Sequence, residues 1–200
     1  MVLKAFSSRH DLTIENLEEN FDKTLYEEGA FSFVAGFALH DEDTDEVLAT
    51  VKGRFFDEDK ILNESEDIVD IADMIDSDTY DAIFALTKSK IYQQELNDDN
   101  VFLSLFTCYI ERIYVYPKHR DKGIGSYILK NLDLIFLYCF NTPIHSFVIV
   151  PKPQQPGGKS GWENAPDEDG RMLKMMINRL KKEGYRKIGK TNFYAKNCAV

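Results

Sequence analysis

A β-rich run that halts at a proline and passes through two glycines into a helix constrains this chain more than any other feature. It reads Glu111-Arg112-Ile113-Tyr114-Val115-Tyr116-Pro117-Lys118-His119-Arg120-Asp121-Lys122-Gly123-Ile124-Gly125-Ser126. Pro117 has no amide hydrogen for a ladder, so the strand stops there. Ile124, Ile128, Leu132 and Ile135 recur at helical spacing, so a helix starts at the glycines. The first turn of a helix holds amide hydrogens without internal partners, and the helix dipole adds partial positive charge. Glycines at 123 and 125 remove side chains that would hold a ligand away from those amides. Strand, turn and helix start thus form a cradle for an anion such as a pyrophosphate, and Arg120 and Lys122 add charge at its rim. Two common nucleotide patterns do not fit. No third glycine follows three residues after Gly125, and the Lys-Ser/Thr ending of a P-loop is missing.

Residues 2–6 read as a first strand. Ile14, Leu17, Phe21 and Leu25 predict an amphipathic helix over 13–28. Segments 31–39 and 47–56 are β-rich, with a polar run between them that suggests a hairpin. The stretch 57–96 is acidic and carries apolar residues at helical spacing, so it predicts a helical pair or one bent helix inserted in the domain. A long β-run follows over 101–116, then the helix from Ile124, then a fully apolar strand over 146–150. Residues 151–170 are dense in proline and glycine and predict a loop without regular structure, of the kind that often forms a lid. A last helix over 171–183 stops at Gly184, and residues 185–194 have β character. This order predicts one α/β domain spanning 1–200, with a mixed central β-sheet flanked by helices.

The chain has 200 residues, 44% apolar and 29% charged, which suits a soluble globular domain. No run approaches the ~20 apolar residues of a membrane-spanning helix, and the first ten residues lack the apolar core of a signal peptide. A cytoplasmic protein with no membrane partner is expected. Cys108, Cys139 and Cys198 match neither a disulfide framework nor a metal-ligand spacing, so no metal is expected. Cys108 and Cys139 read as small core residues. The net charge of −10 is unevenly spread: residues 1–111 hold 27 acids and 8 bases, residues 112–200 hold 7 acids and 16 bases. This asymmetry predicts a basic second half that meets an anionic ligand and an acidic first half that draws a cationic one. Nucleic acid is not an expected partner, because the chain is acidic overall and carries no recognised motif for it. A homodimer is compatible with the sequence.

The segment Arg120-Asp121-Lys122-Gly123-Ile124-Gly125 after a strand resembles the signature of the GNAT superfamily of acyl-CoA N-acyltransferases, Arg/Gln-x-x-Gly-x-Gly/Ala. The matching core runs from about 108 to 129, and the order of elements extends it to about 194. The resemblance implies acetyl-CoA as co-substrate and a primary amine as acceptor, a small molecule or a peptide. Charge segregation favours a cationic acceptor such as a polyamine, an aminoglycoside or a lysine or N-terminal amine. The backbone of Ile113 and Val115 would pair with the pantetheine arm. Amides of Asp121, Lys122, Gly123, Ile124, Gly125 and Ser126 would hold the pyrophosphate, and the Val115 N–H would face the thioester oxygen.

Glu111 stands where many members place a carboxylate base, its pKa expected to rise by burial. The alternative is a strand glutamate paired with a nearby lysine or arginine. Many members also carry a tyrosine, four residues before a Gly-aromatic pair, that protonates the CoA thiolate. Here the pair is Gly184-Tyr185 and the earlier position is Leu180, which has no proton to give. Tyr194 or water would have to substitute. Cys139 has no evident base partner for a covalent route. Trp162, the one tryptophan, either closes the 151–170 loop over the acceptor or only anchors it. A catalytically weak acetyl-CoA sensor or a protein-interaction module is the competing class.

Overall fold

A computed structural model of the chain describes residues 2–7, 31–93, 106–140, 143–157, 162–167 and 170–198. The helix expected over 13–28 and the start of the β-run at 101–105 lie outside them. The strands are β1 (Val2–Ser7), β2 (Ser32–His40), β3 (Val47–Asp57), β4 (Phe106–Val115), β5 (Ile144–Ile149), β6 (Gln154–Pro156), β7 (Trp162–Asn164), β8 (Arg186–Lys187) and β9 (Tyr194–Asn197). The helices are α1 (Glu58–Asn63), α2 (Ile68–Asp73), α3 (Ser77–Thr87), α4 (Lys90–Gln93), α5 (Ile124–Phe140) and α6 (Arg171–Lys182). No helix among the described residues is long and apolar enough to cross a membrane.

Seven strands form one sheet in the order β1-β2-β3-β4-β5-β9-β8. Every neighbouring pair is antiparallel except β4 and β5, which run parallel. The expected α/β architecture with a mixed sheet and flanking helices is the one observed. The sheet is covered on both faces. On one side Ile128, Leu132 and Phe136 of α5 and Leu180 of α6 pack on Val51, Phe55, Cys108, Ile110 and Phe147. The Phe136 ring meets Phe55 and Phe37 edge-on, at 4.8 and 5.6 Å between centroids. On the other side Ile61, Ile68, Ile71, Ile83 and Leu86 pack on Phe56, Tyr109 and Val148. β5 is therefore buried at every position, which is why it reads as an unbroken apolar run.

Two sequence expectations are corrected. Among the described residues the acidic stretch is neither a helical pair nor one bent helix but four helices of four to eleven residues. Three of its acids serve as caps: Asp57, Asp67 and Asp76 accept from the amides of Lys60, Val69 and Thr79 at 3.1, 2.7 and 2.7 Å. An aspartate at the start of α1, α2 and α3 satisfies amides that the helix leaves without partners, so part of the acidity is local structure. Residues 151–170 are not wholly irregular either, since β6 and β7 pair as a two-stranded hairpin.

Glu58 ties α1 and α4 to the sheet. Only 4% exposed, its carboxylate accepts from the Tyr92 phenol and the Thr107 hydroxyl, each at 2.5 Å. His145 Nδ1 lies 3.8 Å away. Burial, and then the Glu58 charge, push the Tyr92 phenol well above its ordinary range, so it stays a donor. Cys108 is fully buried as expected, and burial pushes its thiol up strongly; Cys139 is half-buried against the same core.

Candidate active site

The site lies where β4 and β5 part. β5 follows β4 only as far as the pair Ile110–Ile149. Beyond it, among the described residues, β4 keeps β3 on one side and has no strand on the other. On the β3 side, Gly53 pairs with Ile110 and Lys52 with Arg112, so Glu111 is an extra residue. Such a β-bulge bends its strand and re-aims side chains. Here it brings both Glu111 and Arg112 to the face covered by α3.

The open edge of β4 follows from the register. The Tyr116 amide donates to Leu48 O on β3, at 3.1 Å. Backbone groups alternate along a strand, so the amides of Ile113 and Val115 face the opposite way, into the gap left by β5. Val115 O accepts from Arg120 Nε at 3.1 Å, as that orientation requires.

Beside this edge stands the start of α5. The amide of Tyr127 donates to Gly123 O at 2.9 Å, and the amides of Ile124, Gly125 and Ser126 precede that bond. Asp121 (φ 61°) and Gly123 (φ 80°) are left-handed, a geometry that turns successive N–H groups toward one point. The two glycines act differently. Gly123 supplies the positive φ, with open space where a Cβ would be. At Gly125 a Cβ would stand 3.2 Å from Arg179 Nη1 and 3.6 Å from Val115 Cγ2. Arg179 thus joins Arg120 and Lys122 at the cradle, a residue the sequence reading missed. Its only signal was a cation in the last turn of α6, beside Lys181 and Lys182, where cations are ordinary. The residues present fit a polyanion followed by an extended arm: free helix amides, three cations and a strand edge.

Across the sheet from α5, a cleft of about 510 Å³ opens at the same parting. Its floor is Lys52 and Arg54 of β3 with Tyr109, Glu111 and Arg112 of β4; its roof includes the first turn of α3. Val150, Lys152, Gln154 and Trp162 complete the wall. Trp162 is thus at the cleft, its ring 3.8 Å from the Arg112 guanidinium and edge-on to Tyr114 at 4.8 Å. Glu111 is half-buried, with Lys52 Nζ 2.5 Å from Oε2 and Arg54 Nε 3.4 Å from Oε1. Its setting is therefore an ion-pair triad open to the cleft, the pairing with lysine and arginine that the sequence reading gave as the alternative to a buried base. Burial, then Asp78, Glu111 and Asp76, push the Tyr109 phenol well above its ordinary range, which keeps it protonated.

Tyr194 lies on the other face. It stands opposite Ile149, where β5 leaves β4, and is 3% exposed within the core that also holds Leu180. The structure therefore does not bring it together with Glu111 in the cleft. Cys139 sits on α5, away from the cleft lining.

A parted sheet with a strand edge on one side and a nest of helix amides beside it defines an acyltransferase class of α/β protein. The chain belongs to the acetyltransferase (GNAT) family, which it matches over residues 6–133. No curated protein sequence matches it. Among solved structures it is similar to a yellow fever mosquito protein described as arylalkylamine N-acetyltransferase 7, at 12% identity and a TM-score of 0.36. That similarity covers 83% of this chain and 63% of the mosquito chain, so the present chain spans less than two thirds of it. Arabidopsis thaliana NAA60 in complex with acetyl-CoA is similar at 12% identity and a TM-score of 0.36, over 83% of this chain and 74% of that one. A Drosophila melanogaster polyamine N-acetyltransferase that forms N-acetylagmatine is similar at 12% and 0.32, over 84% and 75%.

Proposed function

We propose that this protein transfers the acetyl group of acetyl-CoA directly to a primary amine, with the donor held at the α5 start and the acceptor in the cleft. One observation carries the reading: the open edge of β4 joins the helix-start cradle on one face to a carboxylate-bearing cleft on the other. The amides of residues 121–126, with Arg120, Lys122 and Arg179, hold the pyrophosphate. Ile113 and Val115 present backbone groups to the pantetheine arm, and the Val115 N–H donates to the thioester oxygen as it gains charge.

An alkylamine arrives as an ammonium and must lose a proton before it attacks. Glu111 accepts that proton, directly or through a water, while Lys52 and Arg54 fix its orientation. The amine nitrogen then bonds to the acetyl carbon, the C–S bond breaks with its electron pair on sulfur, and the nitrogen sheds its second proton to solvent, which also restores the proton given to the sulfur. Tyr194, beside the end of β5 on the donor face, is the phenol assigned to protonate the thiolate in place of Leu180.

Calorimetry and a thiol-release assay test this. Native protein should bind acetyl-CoA at micromolar concentration, and Gly125→Glu should abolish binding by placing a carboxylate in the cradle. Glu111→Gln should keep binding and lose about 10²-fold in kcat, the usual contribution of a general base. Absence of acetyl-CoA binding to the native protein would remove the central claim.

A further inference from the structure

Three acids and four bases line the acceptor cleft: Asp76, Asp78 and Glu111 against Lys52, Arg54, Arg112 and Lys152. The acids are already committed. Asp76 caps α3 through the Thr79 amide at 2.7 Å, and Asp78 pairs with Lys152 at 3.0 Å. Glu111 serves both Lys52 and Arg54. The acidic first half of the chain therefore does not present a negative wall here, and a polycationic acceptor would meet more positive charge than negative.

Two buried polar atoms at the cleft have no hydrogen-bond partner among the described residues. One is Arg54 Nε, whose 3.4 Å approach to Glu111 Oε1 is an ion pair without hydrogen-bond geometry; the other is Oγ1 of Thr79, a residue with 0% exposure. Buried donors in folded proteins are almost always satisfied, so a pair of orphans in one cleft calls for a ligand with acceptor oxygens. The chemistry adds a second reason. When Glu111 takes up the ammonium proton it becomes neutral, and Lys52 and Arg54 lose their counter-charge at that moment.

Resting on the proposed transfer reaction, we infer that the acceptor is an amine that also carries a carboxylate, an amino-acid-like molecule in place of a polycation. The carboxylate engages Arg54, which can offer a planar pair of donors, and the Thr79 hydroxyl. It compensates the two cations as Glu111 is neutralised. Arg54 and Thr79 act as specificity determinants and take no part in bond making.

The experiment is CoA-thiol release from acetyl-CoA with three matched pairs: alanine and ethylamine, tyrosine and tyramine, arginine and agmatine. The amino acid should exceed its decarboxylated partner by about tenfold or more in kcat/KM, the scale of one charge-assisted hydrogen bond. Arg54→Gln should lower kcat with all six amines through its hold on Glu111 and, beyond that, collapse the ratio toward one by raising KM for the amino acids alone. Thr79→Val, which leaves Glu111 untouched, should reduce the ratio in part. Decarboxylated amines favoured in every pair would overturn the inference and leave the N-acetyltransferase reading standing. If protein that binds acetyl-CoA releases no thiol with any of the six, both fall.

Discussion

Gly53 faces Ile110 across the ladder, next to the point where β4 takes in its extra residue. A Cβ there would stand 2.8 Å from Cys108 Sγ and 3.5 Å from both Ile110 Cδ1 and Phe55 Cε2. Non-bonded heavy atoms rest near ~3.5–4.0 Å, so the sulfur would have to retreat by about 1 Å. Cys108 is fully buried, so its sulfur cannot retreat into solvent. Overpacking of this kind costs about 1–3 kcal/mol, while alanine recovers roughly 0.4–1 kcal/mol by restricting the unfolded chain. Gly53→Ala should therefore lose about 1–2 kcal/mol, a fall in Tm of about 2–8 °C for a chain of this size. Cys108→Ala removes the obstructing sulfur, so the double variant should show a favourable coupling of at least ~1 kcal/mol. Urea unfolding of the four proteins measures the cycle. A Gly53→Ala protein as stable as the native one, with no coupling to Cys108, would refute the steric argument. Because Gly53 sits beside the bulge, the same substitution should lower kcat by moving Glu111, and Cys108→Ala should restore part of it.

Other outcomes follow from features already described. Glu58→Gln replaces an acceptor of two buried hydroxyl bonds by an amide that can serve only one, so urea unfolding should show a loss of about 2 kcal/mol; unchanged stability would remove its role in seating α1 and α4. Tyr194→Phe should lower kcat by about tenfold or more while acetyl-CoA affinity holds, and an unchanged kcat would assign thiolate protonation to water. Burial pushes the Cys139 thiol up to about 11. A group with a raised folded pKa favours the native state below its unfolded value and withdraws that support as pH rises toward the folded one. Cys139 should thus react with a thiol reagent at pH 8 about 100-fold more slowly than free cysteine, and alkaline pH above ~9 should erode stability. Labelling at the free-thiol rate would contradict its burial.

The glycine turn, the α5 helix and the hairpin of β2 and β3 were legible because each carries a local signal: proline at a strand end, apolar residues every third or fourth position, a polar turn. The acidic stretch was legible as helical, but its breaks were not. α1 and α2 have six residues each, under two turns, so one apolar period runs across their ends, and their caps are aspartates that look like generic surface acidity. β6 and β7 carry Gln154, Gln155, Glu163 and Asn164, with no alternation to betray a strand. Lys52 and Arg54 lie at alternate polar positions of β3, which reads as a solvent-facing edge. Only the packing of α3 over that face turns them into the floor of a cleft. Arg179 reaches the cradle from about sixty residues away in sequence, so no local pattern marks it.

The extra residue in β4 also works as a phase shifter. Below it the even-numbered Cys108 and Ile110 face α5; above it the odd-numbered Ile113 and Val115 face the same layer. Deleting Glu111 alone would do more than remove a carboxylate. It would remove the bulge and restore plain alternation, in which Cys108, Ile110, Ile113 and Val115 still face α5 while Tyr109, Arg112 and Tyr114 keep the opposite face, so the strand would lose its bend and keep its frame. A deletion elsewhere in β4 would leave the bulge in place and throw one half of the strand out of phase, so β4 can give up a residue only where it carries a spare one.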